Sequence, residues 1–404
     1  MRLGVMMFLE FFVWGAWFVT MGSYLTATLH FTDPQSALAY ATQSWGAIIA
    51  PFVIGLIADK YVNAERLLGV IHLIGAVLMY MLASTSEFGA FYPTLLLYMV
   101  LYMPTLALVN AISFRQMADP AASFGNIRVW GTLGWIAAGL AISYVFGWDS
   151  AAGMQAGLLR NTFMMGSVAS LLLGFYSFTL PGTPPQRGSA GGGLREALGL
   201  DALALLRDRN FLVFFGASIL ICIPLAFYYQ HANQFLTEIR VENAAGKQTL
   251  GQVSEVLFML LVPVFLTRLG IKLTLLIGMV AWAVRYIAFA YGDAGGLVWL
   301  LIVGIALHGM CYDFFFVSGQ VFTDSKAGPR YKSAAQGLIT LATYGVGMLV
   351  GFWIAGELTS AFAVGGGHDW HSIWIYPAAF AGVVAVLFAW LFRNEVLSAR
   401  EPKP

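Results

Sequence analysis

The stretch Leu3-Gly-Val-Met-Met-Phe-Leu-Glu10-Phe-Phe-Val-Trp14 opens an almost unbroken apolar run that reaches Leu29. A helix needs about 20 such residues to cross roughly 30 Å of hydrocarbon. The run is longer than the apolar segment of a cleavable signal peptide and carries Glu10 in its middle, so it reads as a retained first membrane helix. Runs of the same kind recur at 4–30, 36–57, 66–84, 91–115, 127–147, 159–180, 210–236, 248–269, 273–291, 296–322, 333–357 and 372–394. These twelve spans predict an all-α integral membrane protein. Strands of a membrane barrel would be about 10 residues long with alternating polarity, a pattern these runs do not have.

Composition agrees. Of 404 residues, 59% are apolar and 10% charged, and the mean hydropathy is +0.76. A soluble chain carries about 25% charged residues, so the solvent around most of this one must be lipid. The 21 Lys and Arg against 20 Asp and Glu leave a net charge of +1, which excludes nucleic-acid binding through a basic surface and an acidic disordered protein. Cys222 and Cys311 sit in apolar stretches and suggest neither a disulfide framework nor a metal motif. No metal-ligand cluster, phosphate cradle or nucleophile elbow is evident, so no metal, no cofactor and no enzyme activity are expected.

Between spans six and seven lies a polar joint, Pro181 to Asp208, with Pro184-Pro185 and Gly191-Gly-Gly193. It divides the chain into an N-terminal six-helix half (1–180), a cytoplasmic linker (181–209) and a C-terminal six-helix half (210–404). With both ends placed in the cytoplasm, 17 of the 21 Lys and Arg fall on the cytoplasmic side, three (Arg160, Arg240, Lys247) on the outer side, and Arg285 within a span. Positive residues concentrate inside, so both termini are expected to be cytoplasmic in a bacterial inner (plasma) membrane. The two halves echo each other: the turn Gly55-Leu-Ile-Ala-Asp59-Lys60 after span two corresponds to Pro263–Lys272 after span eight. Repeated halves with a midplane site are common in transporters. The first turn resembles the loop signature of the major facilitator superfamily, which implies a conformational latch at Asp59 and Lys60; its bland alternative is a charged turn.

Ionisable groups inside spans are costly and normally face a cavity or a partner. Arg128, Thr132 and Trp135 fall on one helix face at i, i+4 and i+7, offering a donor fork, a hydroxyl and an aromatic plate, unless Arg128 only snorkels. Gln252 and Glu255, at i and i+3, supply an amide and a carboxylate suited to a base edge or sugar hydroxyls, or else a bridge between helices. His308 and Tyr312 share a face, and Asp313 turns away from Tyr312; an acid there can carry a proton, or pair structurally with Arg285. Glu10 is either a second titrating group or half of an ion pair with an arginine. Span seven carries Tyr228, Tyr229, Gln230, His231, Asn233 and Gln234 near one end, a polar density that suggests a cavity mouth.

Several strings together are more specific: Phe11-x-x-Trp14-Gly15-x-Trp17, Tyr102-Met103-Pro104-Thr105, Ile127-Arg128-x-Trp130-Gly131-Thr132-x-Gly134, Ser254-Glu255-x-Leu257-Phe258, Asp313-Phe314-Phe315 and Ser333-Ala334-x-Gln336-Gly337. In this order the chain resembles the nucleoside:proton symporter family of the major facilitator superfamily. The resemblance implies nucleoside uptake with protons by alternating access. It assigns substrate contact to Arg128, Thr132, Gln252 and Glu255, and proton coupling to Asp313. The aromatic positions are filled by Trp135 and Tyr312, while His308 stands where a Tyr is expected. Ala226 and Tyr229 stand where a Gln and an Asn are expected, so the polar edge read by span seven differs. Tyr229 and His308 complete the expected substrate set, and Glu255 and Glu10 join Asp313 as proton-coupling candidates. A proton-coupled sugar symporter and a non-transporting membrane sensor stay open as alternatives. The expected partners are a nucleoside, protons and lipid, with a monomer as the default.

Overall fold

The computed structural model describes residues 1–53, 61–117, 120–185 and 200–395. Nearly all of them are helical, as an apolar chain demands when its backbone polar groups must be satisfied within each segment. The main helices are α1 (Arg2–Gly15), α2 (Asp33–Val53), α3 (Ala64–Ser84), α4 (Phe88–Arg115), α5 (Pro120–Leu140) and α6 (Arg160–Ser177). They continue with α7 (Arg209–Glu238), α8 (Ala244–Tyr291), α9 (Val298–Tyr312), α10 (Ser318–Thr340), α11 (Met348–Ala361) and α12 (Trp370–Leu391). Among the described residues, seven helical stretches are long and apolar enough to cross a membrane by length and composition.

The structure modifies the sequence reading in some places and agrees with it in others. The first apolar run is not one helix: α1 ends at Gly15, and the chain turns before Met21–Ser23 and a wide π turn at Tyr24–Thr28. The stretches expected as spans eight and nine are parted within α8 at the expected joint, Gly270, whose φ of 75° ends one helix and starts the next. The expected span ten is interrupted by a π turn, Asp313–Val317, between α9 and α10. Such wide turns, of which the described residues hold four, are frequent at functional sites, and this one begins with Asp313.

The chain clusters into two compact units. The first comprises Met1–Gly192, Ala226–Thr249 and Met348–His368; the second comprises Gly193–Leu225, Leu250–Gly347 and Asp369–Pro404. In the first unit α3 packs on α6, α1 on α5, α2 on α4 and α11 on α2. Met6, Met7, Leu68, Ile71, Leu108, Val109, Ile112 and Leu173 form one core of this unit. Gly134 lets α5 lie directly on α1, because a Cβ there would strike the Phe8 carbonyl oxygen. In the second unit Gly309 does the same between α9 and α8: a Cβ would collide with the backbone of Ser254 and Glu255. The Gly309 amide donates to Ser254 Oγ at 2.9 Å, so the two helices are held at contact beside Glu255.

A two-stranded hairpin follows α11, with β1 (Ala363–Val364) antiparallel to β2 (Gly367–His368). Gly365 and Gly366, at φ of 57° and 87°, make the two-residue turn that this tight connection requires. The hairpin delivers His368 to two carboxylates of the first unit: Nε2 lies 3.1 Å from Asp33 Oδ2, and Nδ1 lies 2.9 Å from Glu238 Oε1. Burial disfavours the charged ring, but hydrogen bonds to Asp33 and Glu238 and the attraction of both carboxylates outweigh it, raising the His368 pKa to about 9. A group whose pKa is raised on folding stabilises the fold fully below its ordinary value, near 6.5 for histidine, and the contribution disappears as pH rises through the raised value. The melting temperature of the purified protein should therefore fall between pH 7 and pH 10. The His368→Gln variant should lose most of that slope; an unchanged slope would remove His368 as its cause.

Candidate functional site

In the first unit, the face predicted from spacing on α5 is organised by an aromatic stripe on α1. Phe11, Trp14 and Phe18 recur at i, i+3 and i+7, just past the end of α1 in the last case. The Arg128 guanidinium lies over the Phe11 ring, 4.2 Å from its centroid. Trp135 meets Trp14 edge-on, with centroids 5.5 Å apart, and Tyr229 meets Phe18 edge-on at 5.8 Å. Thus Arg128, Trp135 and Tyr229, from α5 and α7, are aligned by successive rings of one neighbour. Thr132 lies on the same face, and all four side chains are only partly buried, so each keeps a surface for a ligand. A cation over an aromatic face is favourable by about 0.5–2 kcal/mol, enough to hold the Arg128 fork in one direction.

Beneath this stripe Glu10 is fully buried. Its Oε2 lies 2.9 Å from His72 Nε2, and its Oε1 lies 2.6 Å from Thr105 Oγ1, which also approaches the Tyr102 carbonyl oxygen. The His72 Nδ1 lies 2.9 Å from Ser170 Oγ. Ser170 Oγ also lies within hydrogen-bond distance of the His72 carbonyl oxygen. The 2.9 Å His72 Nε2–Glu10 contact holds one proton, on either atom. The partner of Glu10 is therefore a histidine, not the arginine considered from the sequence. His72, Thr105 and Ser170 escaped the sequence reading, although a histidine in the middle of an apolar span was a usable signal.

In the second unit, α8 and α9 bring the other candidates together. Glu255 Oε1 lies 2.9 Å from His308 Nε2. His308 Nδ1 lies 2.9 Å from Arg285 Nη1. Arg285 thus meets His308; it does not serve as the structural partner of Asp313 that the sequence left open. Tyr312 shares a short hydroxyl–hydroxyl bond of 2.6 Å with Tyr344, and its ring lies 5.9 Å from His308. Gln252, one turn before Glu255, is partly buried. Asp313 is fully buried, and neither of its oxygens meets a side-chain donor among the described residues. Tyr344 is an addition the sequence did not supply, and Arg285, singled out there, enters as a partner of His308. The expected latch residues Asp59 and Lys60 lie outside the described residues.

This is an arrangement of polar and aromatic groups within apolar helices, together with two buried acids; among the described residues no three His, Cys, Asp or Glu gather as a metal site. The family model described as "Nucleoside H+ symporter" matches residues 1–396. The chain belongs to the nucleoside:proton symporter family. It is a multi-pass membrane transporter that couples nucleoside movement to protons, with a fold of the major facilitator type. It is 42% identical to YegT of Escherichia coli (strain K12) over 99% of this chain and 96% of that protein. It is 36% identical to the xanthosine permease of the same organism, over 97% of this chain and 96% of that one. The crystal structure of a mutant of the nucleoside transporter NupG superposes with a TM-score of 0.90 at 31% identity, covering 97% of this chain and 99% of the other.

Proposed function

We propose that the symporter takes up nucleosides into the cell, with Asp313 as the proton carrier, Arg128, Thr132, Trp135, Tyr229, Gln252, Glu255 and Tyr312 as the substrate groups, and His308, expected among them but buried with both ring nitrogens engaged, acting behind Glu255. The observation that carries the reading is Asp313: a fully buried acid without a side-chain donor, opening a wide turn directly after the His308–Tyr312 segment. An acid in that position is costly as an uncompensated charge, and a mobile proton removes the cost at one stage of each cycle. Glu10 with His72 is a second place where a proton can reside. Arg128, Gln252 and Glu255 present the donors and acceptors that ribose hydroxyls and a base edge need. Trp135 and Tyr312 supply rings for stacking, worth about 1–3 kcal/mol per base where measured in other proteins.

The proposed architecture is twelve crossings in two six-helix halves (1–180 and 210–404) joined by the linker 181–209. The 48-residue α8, broken at Gly270, is long enough for two crossings of about 20 residues each, which supports the count. The distribution of Lys and Arg supports an inner-membrane protein with both termini in the cytoplasm. Asp59 and Lys60 are assigned as the cytoplasmic latch, and a monomer as the working unit.

The test is uptake into proteoliposomes under an imposed gradient, acid outside. Labelled uridine or adenosine should accumulate, and a protonophore should abolish the accumulation. Accumulation of a sugar with no nucleoside taken up would overturn the substrate assignment.

A further inference from the structure

The Arg285–His308–Glu255 chain has only one consistent pattern of donors. A guanidinium has five N–H donors, no acceptor, and does not lose its proton. The His308 Nδ1 that lies 2.9 Å from Arg285 Nη1 must therefore accept, and a ring that accepts at Nδ1 carries its proton on Nε2. That Nε2–H points at Glu255 Oε1, 2.9 Å away, and donates to it. Arg285 is fully buried, and its guanidinium lies 5.7 Å from the centre of the Phe289 ring. His308 is also buried, whereas the Glu255 side chain is 20% exposed. The chain thus runs from a fixed interior cation to a carboxylate at the edge of the unit. The Gly309 contact with the Ser254–Glu255 backbone fixes the distance over which this chain acts.

We propose that Arg285 is a positioning residue for nucleoside binding. Through His308 it locks the imidazole in one tautomer, pins one oxygen of Glu255, and leaves the second oxygen as a pure acceptor for a substrate hydroxyl. This inference rests on the assignment of Glu255 to the substrate site. Three consequences distinguish it from a merely structural arginine. A donor-only cation at 285 is required, so lysine can partly replace arginine. The residue at 308 needs an acceptor toward 285 and a donor toward 255, which glutamine provides and leucine does not. Finally, Arg285 acts through position 308, so its removal costs nothing more once that position is apolar.

The experiment is equilibrium binding of whichever ribonucleoside the parent protein binds, measured with labelled uridine, adenosine and xanthosine on purified full-length protein. Arg285→Met and His308→Leu should each raise Kd about tenfold, the share of one charge-assisted hydrogen bond. Arg285→Lys and His308→Gln should stay within about threefold of the parent. The Arg285→Met/His308→Leu double variant should be no weaker than either single one. Multiplying losses in the double variant, or equal losses for His308→Gln and His308→Leu, would overturn the inference. Glu255→Gln, measured in parallel, separates it from the reading on which it rests. If Glu255→Gln weakens binding while Arg285→Met does not, the positioning role fails alone; if neither changes Kd, the placement of Glu255 in the site fails. Should Arg285→Met not fold, Arg285→Lys and the two His308 variants still decide the matter.

Discussion

In proteoliposomes carrying the Asp313→Asn variant, nucleoside should equilibrate across the membrane and no longer concentrate. One proton moving down one pH unit releases about 1.4 kcal/mol, which supports an accumulation of up to about tenfold for each proton carried per cycle. The parent should approach such a ratio, and the variant should stay near one. Asparagine has the size and polarity of the protonated acid, so it should fit the fully buried site without leaving a cavity or a charge. For this reason the variant should still bind nucleoside, within about threefold of the parent, and exchange labelled for unlabelled substrate. The loss would then lie in the coupling, and not in the fold or the site. Concentrative uptake by Asp313→Asn would make Asp313 structural and move the coupling proton to the Glu10–His72 pair. The matching variant Glu10→Gln settles which of the two buried acids is indispensable.

The features legible in the sequence were those set by spacing along one helix. Arg128, Thr132 and Trp135 were placed on one face by the helical period, and the structure aligns Arg128 and Trp135 on the rings of Phe11 and Trp14. The long apolar runs likewise announced helices, because the hydrocarbon thickness fixes their length. Contacts between distant segments were not legible. Glu10 and His72 are 62 positions apart, and Arg285 and His308 are 23 apart; nothing in either local pattern names the partner. The choice depends on where helices touch, and that is set by small residues such as Gly309 and Gly134, whose role appears only when the opposing backbone is in view. The break at Gly270, by contrast, falls where the hydropathy count already parts two apolar runs, and its positive φ ends one helix before the next begins.

The second large effect is expected for Glu255→Gln. Glutamine can keep the bond already in place, because its amide oxygen can accept from His308 Nε2 as the carboxylate oxygen Oε1 does at 2.9 Å. What changes is the other end, where an anionic acceptor becomes an amide N–H₂ donor. A ribose hydroxyl that donated to the carboxylate then faces a donor, and the binding energy of a charge-assisted bond, about 1.5–3 kcal/mol, is lost. Kd should rise roughly 10- to 150-fold, read by equilibrium binding of the transported nucleoside. A 2′,3′-dideoxynucleoside, which lacks the hydroxyls in question, should bind the parent and the variant with nearly equal affinity. That comparison locates the effect: a loss for both ligands would mean that Glu255 holds the helices and not the sugar, and unchanged affinity for the ribonucleoside would take Glu255 out of the site. The partial exposure of this carboxylate, unique among the groups of its chain with Arg285 and His308, is what makes the sugar reading the stronger one.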